Sequence, residues 1–412
     1  MCSVFLRVYV LLLLLLASDA YAASPAGPSY PLQYTLAFDQ DTREAIVGMR
    51  LGAHNGVVRR FNLKMPLADY SAIEGAGTIV REGDRLLWTP PAAGGSLSWR
   101  HKIDHVRRTG GAYDARFARS WAMFRGDDVF PAALVRTKGK AASRTTLVMK
   151  LPAGWHADTP FQRIGSNSEQ FNIDFPGRRF DRPVGWMIAG KIGARSEFIE
   201  GTKVVVAAPR GESIHRQDVL AFMSWNLPHM ARAFGQLPDK LLFVSAGDPM
   251  WRGGLSAPRS LFLHMDRPLI SENATSPPLH ELTHVITRIR GEKGADWFTE
   301  GLAEFYGLEI LRRSGGISQA RFEKALAWQK NWSRDVDTLK VNRSRGKTTA
   351  RAVLLIKALD DEIRKQTDGK RSIDHVTRRL MKIGKVSNQQ INAVVEEVIG
   401  APSKVLDTSL LR

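Results

Sequence analysis

With 412 residues the chain is long enough for two or three domains, and a balance of 43% hydrophobic to 24% charged residues excludes long disorder. The formal charge of +18 attracts polyanions, yet the 59 Lys and Arg are spread along the chain. They form no nucleic-acid-binding motif and no basic-aromatic box, so nucleic acid is not expected as a partner, and an anionic cell-envelope polymer remains a candidate.

The chain opens with Arg7 before the apolar run Val8 to Ala17, followed by Ser18-Asp19-Ala20-Tyr21-Ala22. The run is shorter than the roughly 20 apolar residues of a membrane span, and Ala20 and Ala22 fit a small-x-small cleavage site. Residues 1–22 therefore read as an export signal cleaved near Ala23, with no stable membrane span afterwards and a secreted, bacterial periplasmic location. The only cysteine, Cys2, lies inside this segment, so disulfides, thiolate catalysis and cysteine zinc sites are not expected.

Residues 23–200 read as an N-terminal β domain. Apolar residues alternate at Leu32, Tyr34, Leu36 and Phe38, at Ala45, Val47, Met49 and Leu51, at Phe61, Leu63 and Met65, and at Leu97 and Trp99. Turn signals separate them: His54-Asn55-Gly56, Pro90-Pro91 and Gly94-Gly95. Further strands are expected at 145–151, 170–175 and 185–192. Many short strands at this spacing suggest a β-sandwich.

The pattern changes in residues 201–316. A strand at 203–208 precedes a helix from about Ser213, and strands follow near 240–246 and 259–265. Helices are then expected at 278–290 and 297–314. The remaining segment, 317–412, reads as a helical region with helices at 318–331, 348–366, 372–384 and 387–399, separated in part by Gly and Pro. The whole is an α+β multidomain chain.

One constellation carries chemistry. In Pro278-Leu279-His280-Glu281-Leu282-Thr283-His284 the two histidines stand four residues apart and share one helix face. They can direct two imidazoles to one metal ion, and Glu281 can take a proton from a water there. Trp297-Phe298-Thr299-Glu300-Gly301-Leu302-Ala303-Glu304 opens the next helix and supplies Glu300 as third ligand, leaving a fourth position open, as catalytic Zn2+ requires. Glu304, one turn on, is placed to hydrogen-bond the free ring nitrogen of a ligand histidine.

The stretch from His280 to Tyr306 resembles the gluzincin zinc metallopeptidases, and the Glu300 motif is similar to those of the alanyl and glycyl aminopeptidase families. The glycyl aminopeptidase family fits more of the chain, through Leu151-Pro152-Ala153-Gly154-Trp155 with Thr159-Pro160, and through Leu359-Asp360-Asp361-Glu362 and Ser372-Ile373-Asp374. The resemblance implies an N-terminal β-sandwich-like domain, a thermolysin-like catalytic domain and a C-terminal helical region, with a peptide or protein as substrate. Two departures stand out. The glycine-rich strand whose acidic residue holds a substrate amine in those families corresponds here to Gly253-Gly254-Leu255-Ser256-Ala257, which has no carboxylate. The later tyrosine that donates to the oxyanion corresponds to Thr348, and the last tyrosine of the chain is Tyr306.

Lys347, Arg351 and His375 are the candidates to replace that donor. The strand at 259–265 is expected to line the cleft and pair with an extended substrate. His264 is expected to be structural, and Trp225, Trp297, Trp328 and Trp332 to be packing residues. The leading expectation is a zinc peptidase. Its rival is a zinc-binding, weakly active or inactive peptidase-like scaffold of the cell envelope, supported by the missing tyrosine.

Overall fold

The computed structural model describes residues 28–412 apart from 109, 167, 176–177 and 213. The expected export signal lies outside the described residues. Among the described residues no helix is long and apolar enough to cross a membrane.

The first unit is built from three sheets. Its seven-stranded sheet has Ser29–Asp39 at its heart, antiparallel to Glu44–Leu51 and parallel to Ala142–Lys150. The alternation seen in the sequence is the reason for the register. Leu36 lies opposite Val47, which lies opposite Trp99, and all three are buried. A four-stranded sheet holding Val58–Lys64 and Arg85–Thr89 covers that apolar face, with Phe61 stacked on Trp88 at 5.2 Å. A third sheet, containing Tyr113–Phe117, Trp121–Arg125 and Trp186–Gly190, extends toward the rest of the chain.

Ile192–Ile199 pairs with Thr202–Pro209 in a hairpin, so the expected boundary at residue 200 falls in its turn. This hairpin opens a five-stranded sheet ordered Ile192–Ile199, Thr202–Pro209, Lys240–Val244, Ser260–Leu263, Gly254–Ala257. Lys240–Val244 is buried at every position because both faces of the sheet are covered. Leu241 and Phe243 join the core beneath the helices, while Leu242 and Val244 join a second core against the first unit's Trp121, Met123 and Trp186. The helices at 319–332, 347–366, 373–383 and 388–399 share the former core, so no separate core sets off residues 317–412.

Two expectations about single elements change. Ser260–Leu263 lies between two other strands, and the edge strand is Gly254–Ala257. A glycine, a serine and an alanine carry little strand propensity, so this strand is defined by its pairing with Ser260–Leu263. Of the four tryptophans expected to pack, only Trp297 is buried; Trp225, Trp328 and Trp332 are exposed.

Candidate metal centre

The helix Pro277–Thr287 starts where the Ser276 side chain accepts the Leu279 N–H, with prolines at its first positions. Its apolar residues Leu279, Leu282, Val285 and Ile286 are buried in the core, which leaves His280, Glu281 and His284 half-buried along the opposite side. The helix Asp296–Arg313 packs beside it. Gly307 is the point of close approach: a Cβ there would lie 3.9 Å from the His280 backbone nitrogen.

These two helices bring three donors together. The Nε2 atoms of His280 and His284 are 3.2 Å apart. Glu300 Oε2 lies 3.5 Å from His280 Nε2, and Oε1 lies 3.6 Å from His284 Nε2. A tetrahedral ion with bonds of about 2.0–2.1 Å needs donors separated by roughly 3.3 Å; the two histidine nitrogens meet this, and each stands close to that distance from one of the two Glu300 oxygens. Among the described residues this is the one group of His, Cys, Asp and Glu side chains close enough to hold a metal.

The surroundings prepare the donors. Glu304 Oε2 is 2.9 Å from His280 Nδ1, so that nitrogen donates to the carboxylate and Nε2 is the one turned toward Glu300 and His284. Burial pushes the His280 imidazolium down, but the hydrogen bonds to Glu300 and Glu304 outweigh it and hold the ring above its ordinary pKa. His284 is pushed below its ordinary value by burial and by the neighbouring His280 charge. Burial raises the Glu300 carboxyl, and the hydrogen bond from His280 with the charges of both histidines more than reverses this. A negative, hydrogen-bonded set of this kind suits a divalent cation.

Glu281 lies against the edge strand. A Cβ added to Gly254 would sit 2.8 Å from Glu281 Cγ, so only glycine leaves the carboxylate its place.

The remaining candidates part company. Lys347 is on the surface, ion-paired with Asp335 at 2.6 Å. His375 closes a capping box, its Nδ1 accepting the Ser372 N–H at 3.2 Å. Both are engaged elsewhere, Lys347 by the Asp335 carboxylate and His375 by the start of its own helix. Arg351 precedes Ala352, which lies against Gly301, and its buried Nε has no hydrogen-bond partner among the described residues. Tyr306 is fully buried and donates to Asp374 at 2.8 Å, so it belongs to the core. His264 is buried and its Nδ1 accepts the Asp266 N–H. Arg343, not singled out in the sequence, lies close enough for its charge to lower the Glu300 carboxyl. It stands in an irregular segment with no periodicity to mark it.

The chain has a multidomain α+β fold similar to that of M1 aminopeptidases. No protein-family model and no curated protein sequence matches the chain. Among solved structures it is similar to an aminopeptidase N family protein from Idiomarina loihiensis, at 14% identity over 88% of this chain and 72% of that one, TM-score 0.65. An M1 zinc metallopeptidase variant from Deinococcus radiodurans, bound to a Tyr-Ser-Ala substrate, matches at 14% identity over 92% of each chain, TM-score 0.57. Legionella pneumophila aminopeptidase A, in complex with aspartic acid, matches at 10% identity over 93% of this chain and 49% of that one, TM-score 0.56.

Proposed function

We propose that this chain is an exported, periplasmic zinc-dependent peptidase of gluzincin type, closer in organisation to the glycyl aminopeptidases than to the alanyl ones. The observation that carries the reading is the donor triangle of His280, His284 and Glu300 with Glu281 beside it. The likeness in fold to zinc aminopeptidases supports it.

His280, His284 and Glu300 would hold the zinc, with Glu304 orienting His280. When bound, the ion supplies Lewis acidity toward a carbonyl oxygen and toward water. Glu281 takes the proton of the attacking water and delivers it to the leaving amine nitrogen. The free edge of Gly254–Ala257 offers backbone groups to an extended peptide. Arg351, whose Nε is unpartnered, is the remaining candidate to donate to the oxyanion.

The second reading, a weakly active or inactive zinc scaffold, is favoured by the burial of Tyr306 and by Thr348 at the position of the family's tyrosine. An anionic envelope polymer as partner is supported by net charge alone. Metal analysis with peptide-library cleavage separates these readings. The peptidase reading expects about one zinc per chain, lost in His280→Ala and Glu300→Ala, and cleavage abolished in Glu281→Gln. It also expects N-acetylated peptides to be cleaved, since Gly253–Ala257 has no carboxylate for an amine. Zinc binding without cleavage supports the scaffold; a chain that takes up no zinc refutes both.

A further inference from the structure

The edge strand Gly254–Ala257 is flanked on two faces. One face meets the helix Pro277–Thr287 at Gly254. Successive strand residues point to opposite faces, so Leu255 turns away from Glu281. Like Tyr113, it packs against the core between the two units that holds Trp121, Met123 and Trp186, and its carbonyl accepts the Trp186 Nε1–H at 2.8 Å. Tyr113 is tied to the chain leading into this strand: its N–H donates to the Pro249 carbonyl, and the Trp251 N–H donates to its own, both at 2.9 Å. The first unit thus forms the wall opposite the metal-binding helices.

Arg116 stands on this wall. It lies beside Met123 in the antiparallel ladder and leaves the sheet on the same face. Its guanidinium is 5.4 Å from the Tyr113 ring centroid and 5.8 Å from that of Trp121. The sequence neighbour Asp114 is engaged by Arg107 at 2.7 Å and His105 at 3.4 Å, and among the described residues Arg116 makes no ion pair. It is half-buried, so one side remains open. A guanidinium held on two aromatic rings is oriented in advance and loses little freedom on gripping a planar carboxylate.

We propose that Arg116 receives a substrate side-chain carboxylate, so that the site selects peptides with Asp or Glu at one position along the bound strand. The proposal rests on the peptidase reading above. A peptide paired with the Gly254–Ala257 edge sends every second side chain toward this wall. A fixed cation there also opposes a substrate ammonium, in keeping with the absence of a carboxylate from Gly253–Ala257.

The test uses peptides acetylated at one end and amidated at the other, so that only side chains carry charge. Asp, Asn or Lys is placed at each position in turn. kcat and KM are measured for zinc-loaded wild type, Arg116→Gln, Arg116→Lys and Arg116→Glu, each first shown to be folded by its melting curve. At one position Asp should exceed Asn about tenfold in kcat/KM, the size of one charged hydrogen-bonded pair. Arg116→Gln should bring that ratio toward one, mainly through KM. Arg116→Lys should keep part of it, and Arg116→Glu should turn the preference toward Lys at the same position. Wild type that cleaves without discriminating Asp from Asn, or an unchanged ranking in Arg116→Glu, overturns the proposal and leaves the peptidase reading intact. If no peptide is cleaved, the peptidase reading fails. The same peptides are then titrated calorimetrically into wild type and Arg116→Glu, where equal affinity for Asp and Asn peptides overturns this proposal as well.

Discussion

Gly254→Ala is the most incisive single change. Gly254 does not have the left-handed backbone conformation that excludes side chains, so the strand itself accepts alanine. The added methyl carbon would stand 2.8 Å from Glu281 Cγ, 3.2 Å from its Oε1 and 3.4 Å from its Cδ. Carbon atoms settle at about 3.5–4.0 Å, so the Glu281 side chain must retreat by roughly 0.7–1 Å. A shift of about 1 Å in a reacting group costs on the order of a hundredfold in rate. The three nearest atoms all belong to Glu281, so the metal ligands keep their places. We expect kcat to fall about a hundredfold while zinc content, KM and melting temperature stay near wild type. The control is Gly307→Ala, whose methyl would meet the Ser276 carbonyl at 3.7 Å and the His280 nitrogen at 3.9 Å, ordinary contacts. It should keep activity and gain about 0.5–1 kcal/mol of helix stability. Full kcat in Gly254→Ala, or loss of its zinc, would refute the argument that this glycine exists to make room for Glu281.

Three further outcomes are expected. Glu304→Gln should weaken zinc binding roughly 10- to 100-fold in a chelator competition, because the carboxylate that fixes His280 is lost. His375→Ala should lower stability by about 0.5–1 kcal/mol in a denaturant melt and leave turnover per folded molecule unchanged, as its role is the helix cap. Asp181 is buried, its Oδ1 has no hydrogen-bond partner among the described residues, and burial pushes its carboxyl up to about 6. The folded chain therefore keeps a proton that the unfolded chain has already released, and stability falls as pH rises through that window. Asp181→Asn should remove this loss, adding roughly 1–2 kcal/mol at pH 7 after solvent screening and nothing near pH 4; melts that change equally at both pH values would contradict it.

The sequence by itself determined those features that depend on neighbours along the chain. Two histidines four residues apart must share a helix face, and the following helix offers Glu300 and Glu304 one turn apart. Strand alternation from Leu32 to Trp99 likewise named the core of the first unit, because period two fixes which side chains meet. Tertiary structure decided everything that needs a partner distant in sequence. Gly254–Ala257 becomes a strand only through Ser260–Leu263, and its glycine matters only because Glu281 arrives beside it. Lys347 and His375 looked free in sequence until Asp335 and Ser372 claimed them. Arg116 carries no local signal at all. Its place on the cleft wall follows from the docking of one unit's sheet on another's, which no periodicity records.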